Sequence, residues 1–226
     1  MLCMLLLLAN SNAGLITVNK TTDINNDSDG GCNLREAVEA AHSNQVVDGC
    51  TAGGAVDILL LDVNNAIQLN AEIEVRSGMS IRVPFSASDP VEIRAATNHR
   101  IFEVFPIQGS GQVFEFVDLK LIGGNAGSGS GGAIHIHNNQ TSGLISQIFV
   151  QDCIFENNNG HNGGAIAITN TDVTSKVTVR DSYFMDNQAA DNGGALYIDK
   201  GTVGELLWMN NVFENNTAGG SGGGVL

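Results

Sequence analysis

Aromatic side chains are scarce in this sequence. Phe, Trp and Tyr make up 5% of its residues, with a single Trp and two Tyr. That argues against a globular aromatic core, and 28 glycines point to a fold of small and β-branched residues. Positive charge is also sparse: 10 Lys and Arg stand against 24 Asp and Glu, a formal net charge of −14. Such a surface repels nucleic-acid phosphate and anionic lipid, so neither is an expected partner. The plainer consequence of the acidity is solubility. Long apolar runs are missing too. The stretch from Leu2 to Ala9 is too short to span a bilayer, and no other segment comes closer. It has the character of a secretory h-region, with Ser11-Asn12-Ala13 as a small-residue cleavage site, although a basic n-region is lacking. Residues 1–13 are therefore read as a signal peptide, and direct membrane insertion is not expected.

Cysteines number four, and Cys3 falls in that signal. Cys32 and Cys50 bracket a short helical segment and are natural disulfide partners in an exported chain. A loop of that size stabilises by roughly 3 kcal/mol on the chain-entropy model. Cys153 is left over. Its counterparts further along are Ser182 and Asn211, so it reads as a small, inward, unreactive position.

What the sequence does contain is a repeated phrase: an aromatic residue, an Asn three positions later, then Gly-Gly opening an apolar strand. It runs Phe155…Asn158…Gly163-Gly164-Ala165-Ile166, then Phe184…Asn187…Gly193-Gly194-Ala195-Leu196, then Phe213…Asn216…Gly222-Gly223. An older copy is read as Ile122…Asn125…Gly131-Gly132-Ala133-Ile134. A period in the range of 20–50 residues marks stacked repeats. Upstream, Asn33 and Glu36 fit a capping box, and Leu34, Ala37, Val38 and Ala41 share one helical face. From Asp57 onward no long helix is expected. Short runs alternate apolar and polar residues, separated by turn formers.

These features predict an all-β parallel β-helix, a solenoid with a short N-terminal capping helix. Each repeat is one coil of about three strands, stacked at roughly 4.8 Å. Phe155, Phe184 and Phe213 are expected to stack inside. Asn125, Asn158, Asn187 and Asn216 are expected to form an internal ladder that satisfies turn backbone groups. Residues 14–56 form the cap, and residues 57–226 form coils that break off where the next strand is due.

Cys32-Asn33-Leu34-Arg35-Glu36-Ala37, with Asp48-Gly49-Cys50 downstream, resembles the signature of CSLREA-domain proteins, with Asn33 in place of the usual Ser. The FxxN and GGA[IL] phrases resemble the polymorphic outer membrane protein repeats of bacterial surface proteins and autotransporter passengers. The first copy departs with Ile122 for Phe, and the last with Gly224 for Ala. The resemblance spans residues 14–226. It implies a right-handed, pectin-lyase-like β-helix exported to the bacterial surface or medium, often with a separate anchor.

Three sets of residues are candidates for chemistry. Asp152 and Asp181 hold equivalent positions in successive coils, with Arg180 beside the second, as a glycosidase or lyase of this fold requires. The simpler reading is a turn-forming Asp. His135 and His137 share one face of a strand and are metal donors in kind. The positions read as equivalent, Ala165/Ala167 and Ala195/Tyr197, add no ligand. Asn25, Asp27, Asp29 and Glu36 match a calcium-loop spacing, although Glu36 already serves the helix cap. The expectation is a monomeric, secreted or surface-displayed scaffold or adhesin without catalysis and with no cofactor beyond calcium. Its partner would be a host or surface glycan or protein. The alternative is a polysaccharide-active lyase or glycoside hydrolase.

Overall fold

The structure, a computed structural model, describes residues 13–25, 28–85, 89–105, 111–137, 147–169, 176–199 and 205–225. The chain opens with strand β1 (Ala13–Val18) and helix α1 (Leu34–Ser43). Strands then follow in sets. The first set is β2 (Val56–Leu61), β3 (Ile67–Leu69) and β4 (Ile73–Val75); the second is β5 (Met79–Arg82), β6 (Val91–Ala95) and β7 (Phe102–Val104). The third is β8 (Val113–Val117), β9 (Leu119–Ile122) and β10 (Ile134–His137). The fourth is β11 (Gln147–Gln151), β12 (Ile154–Glu156), β13 (Asn159–Gly160) and β14 (Ile166–Thr169). The fifth is β15 (Lys176–Arg180), β16 (Tyr183–Met185), β17 (Gln188–Ala189) and β18 (Leu196–Ile198), and the last is β19 (Glu205–Met209), β20 (Val212–Glu214) and β21 (Thr217–Ala218).

Each set contributes its first strand to one sheet and its second to another. The order β1-β2-β5-β8-β11-β15-β19 makes the first sheet, and β3-β6-β9-β12-β16-β20 the second. The strands that close the first five sets form a third sheet, β4-β7-β10-β14-β18, and β13, β17 and β21 form a small fourth. Every strand pairing in these sheets is parallel, from β1 with β2 to β17 with β21. The chain thus makes repeated circuits through the same sheets, which is consistent with a parallel β-helix. One helix accompanies the sheets among the described residues.

Residue type dictates which side faces in. On β8, β11 and β15, alternate residues are buried: Phe114 and Phe116, Ile148 and Val150, Val177 and Val179. Phe155 and Phe184 fill the second sheet, and Ile134, Ile136, Ile166, Ile168 and Leu196 the third. The rings of Phe155, Phe184 and Phe213 stack at 4.8 and 5.0 Å with near-parallel planes.

Corners are made by residues with positive φ. Asp118, Asp152, Asp181 and Asn210 turn the chain from the first sheet into the second, at φ between 53° and 57°. Gly123, Asn157, Asp186 and Asn215 turn it out again, with φ of 71°, 55°, 54° and 55°. Asp and Asn tolerate this left-handed conformation better than other L-residues. The Gly-Gly pair has two separate causes. Gly163 has φ 66°, whereas a Cβ on Gly164 would sit 2.1 Å from the carbonyl oxygen of Gly194 in the next circuit.

The older copy of the repeat has a different register from the one expected. Leu121, not Ile122, pairs with Phe155, and Ile122 pairs with the outward Glu156. The corner sets the register: Asp118 turns the chain where Asp152 and Asp181 do, and the inward residue three positions later is Leu121, as Phe155 and Phe184 are in the next circuits. The residues before β2 hold β1, α1 and the disulfide between Cys32 and Cys50, with Cα atoms 4.7 Å apart.

Candidate functional site

The repeat asparagines are tied to the backbone. Asn187 Oδ1 accepts hydrogen bonds from the backbone N–H and the side-chain amide of Asn158, at 3.0 and 2.9 Å. Asn216 does the same for Asn187, at 3.0 and 2.9 Å. The Asn187 amide also donates to the Phe155 carbonyl, and that of Asn216 to the Phe184 carbonyl. Asn125 stands outside this ladder. Gly124 takes the ladder position, donating its N–H to Asn158 Oδ1 at 2.9 Å, while Asn125 bridges to Asn159 and bonds to Asn98. The displacement follows from the same one-residue register difference.

Two further ladders escaped the sequence reading. Ser182 Oγ accepts the Cys153 N–H at 3.1 Å, and Asn211 Oδ1 accepts the Ser182 N–H at 3.0 Å. The signal was available in the Cys153, Ser182, Asn211 series, which looked only like small inward residues. Burial pushes the Cys153 thiol up to about 12, so it is not a nucleophile. On the other side of the repeat, Asn162 Oδ1 accepts the Asn192 N–H, and Asn192 Oδ1 accepts the Ser221 N–H, both at 3.1 Å. Each of these residues precedes a Gly-Gly pair.

Asp152 and Asp181, weighed as catalytic carboxylates, are the left-handed corner residues described above. Asp181 is bound by Arg180 Nη1 at 2.8 Å and by Asn210 Nδ2 at 3.0 Å, and Asp152 receives Gln151 Nε2 at 2.7 Å. Arg180 also donates to Gln151 Oε1 at 2.5 Å. A third carboxylate, Asp118, completes this line. Burial raises its pKa, and the neighbouring Asp152 charge adds to the shift.

Of the calcium-loop residues, Asp27 lies outside the described residues. Glu36 is buried and accepts the Asn33 N–H at 3.1 Å in the capping box, and Asp29 pairs with Lys20. Asn25 is exposed in a turn.

The outer face of the third sheet holds a tighter constellation. His135 pairs with Glu103 of β7 on one side and Ala167 of β14 on the other. His137 pairs with Thr169, so the equivalents in later circuits are Ala167/Thr169 and Tyr197/Asp199 rather than the positions two residues earlier. Strand alternation places Glu103, His135 and His137 on the same outward face. His137 Nε2 lies 3.1 Å from Glu103 Oε1, and His135 Nδ1 lies 3.7 Å from the same oxygen. The two imidazoles stack at 4.5 Å, and Phe105 meets His137 edge-on at 4.5 Å. Thr169 Oγ1 holds His135 Nε2 at 2.9 Å, and Arg100 Nη1 binds Glu103 at 2.8 Å and Glu72 at 3.1 Å. Burial, the adjacent His137 and Arg100 together lower the His135 pKa to about 3, so this ring is neutral at ordinary pH. Sequence reading found the His pair but missed Glu103, because it comes from the preceding circuit with no repeat phrase to align it.

Residues 181–199 match the Chlamydia polymorphic membrane protein repeat. The match supports that repeat family, and it runs from the corner at Asp181 through Phe184, Asn187 and the Gly193-Gly194 pair to Asp199. It therefore covers the ladder and corner residues of one circuit. No curated protein and no solved structure matches the chain.

Proposed function

We propose that this chain is a bacterial cell-surface scaffold or adhesin: a right-handed parallel β-helix that displays its outer faces and turns to a host or surface glycan or protein. The observation that carries this reading is where the matched repeat residues lie. Phe184, Asn187, Ser182 and the Gly193-Gly194 pair stack inward or shape corners. A repeat so built specifies a rigid rod and leaves the outward positions free to vary for recognition. Right-handedness follows the general rule for parallel crossovers. Helix α1, placed against β1, β2 and β4, serves as the cap over the first circuit. Asp152, Arg180 and Asp181 then act in the corners rather than on a substrate.

The test is surface labelling. Intact cells expressing the full gene should be stained by antibody against this segment and should lose the epitope to external protease. An epitope protected until lysis would overturn the proposal. Purified protein that cleaves a polyuronate, with loss of cleavage in Asp181→Asn, would instead establish the polysaccharide-active alternative.

A further inference from the structure

We infer that Glu103, His135 and His137 form a three-ligand site for a divalent first-row transition-metal ion of the Zn2+ class. Their donor atoms all lie within 4.8 Å of one another, the one such group of His, Cys, Asp or Glu among the described residues. Zn2+ bonds of about 2.0–2.1 Å in tetrahedral geometry put neighbouring donors roughly 3.3 Å apart. The two distances to Glu103 Oε1, 3.1 and 3.7 Å, bracket that value. Small side-chain movements would therefore complete the site without moving the strands.

The surrounding contacts orient the donor atoms. His135 Nδ1 is buried and has no hydrogen-bond partner among the described residues, yet it points toward a carboxylate. Thr169 engages the opposite ring nitrogen, the outer-shell contact that orients a ligating imidazole. Phe105 packs on His137 and limits its rotation. Arg100 is the resident competitor, since it binds the same Glu103 oxygen; Glu72 remains to hold Arg100 once a metal takes that oxygen. Two imidazole nitrogens and one carboxylate oxygen suit Zn2+, Ni2+ or Cu2+ and disfavour Mg2+ and Ca2+, which take all-oxygen shells. The three ligand side chains keep 14–15% of their surface exposed, so a fourth position opens to solvent or to a donor from a partner. This inference is independent of the display role.

Calorimetric titration of untagged, chelator-treated protein with ZnCl2 tests it. One equivalent should bind in the wild type and weaken at least about 10-fold in both His137→Ala and Glu103→Gln, with thermal unfolding of the apo-proteins little changed. Glu103→Gln is isosteric and guards against a folding artefact. MgCl2 should give no heat at the same concentrations. Co2+ should produce the intense visible bands of a four-coordinate ion. Absence of Zn2+ binding, affinity unchanged in both variants, or a pale six-coordinate Co2+ spectrum would each overturn the assignment.

Discussion

Phe184 is fully buried and lies between Phe155 and Phe213, with Trp208 stacked alongside at 6.1 Å. Truncating it empties a space that stacked circuits above and below cannot collapse into. Phe184→Ala should destabilise by about 3–5 kcal/mol, read as a shift in the urea midpoint. The asparagines separate into two kinds. Removing the Asn187 side chain takes the acceptor of the buried Asn158 N–H and a second donor from the Phe155 carbonyl, which stays in the strand ladder with β16. An orphaned buried N–H costs about 1–3 kcal/mol. Asn125→Ala touches only peripheral bonds and should fall within about 0.5 kcal/mol of wild type. Equal effects of the two substitutions would contradict the ladder described here. The Phe and Asn phrases were legible because they repeat. Gly124 in the ladder was not, because the neighbouring Asn125 has the right chemistry one residue away from the right register.

Helix α1 depends on its caps and its docking. Asn33 accepts the Glu36 N–H at 3.1 Å, and Glu36 returns the bond to Asn33. Asn33→Ala should cost about 0.5–2 kcal/mol in the same measurement. Arg35 ties the helix to the first circuit, donating to the carbonyls of Ala71 and Glu72 at 2.7 and 3.0 Å. At the other end, His42 Nε2 accepts the Arg76 N–H at 2.9 Å, which requires the neutral ring. Burial lowers the His42 pKa below its ordinary 6.5. The unfolded chain therefore takes up the proton first, and stability present above that value is lost as pH falls below it. Urea midpoints of wild type should fall more between pH about 7.5 and 5.5 than those of His42→Gln, whose amide does not titrate. The cap box was readable from local spacing, whereas the Arg76 contact, joining residues far apart in sequence, was not.

Over the whole molecule, stability is a sum of similar interfaces between neighbouring circuits. The ladder bonds join residues 29 apart, as from Asn158 to Asn187 and from Asn187 to Asn216. Excising residues 153–181, one full period from corner to corner, should leave a cooperatively folded β-rich protein, followed by circular dichroism. Excising one residue fewer shifts the register and turns inward side chains outward, and should abolish cooperative unfolding. Charge is distributed on the same scale. Every Lys and Arg among the described residues sits in an ion pair, as Lys120 does between Glu92 and Glu156. The formal excess of charge is acidic, which favours cationic ligands over polyanions. By itself the sequence determined the period, the stacking phenylalanines, the helix cap and the acidic surface, because each rests on local spacing or composition. Only the tertiary structure decided the register of the older circuit and the meeting of Glu103 with His135 and His137. Parallel pairing between circuits brings together residues that no local pattern links, and which pairs meet depends on the length of each intervening turn.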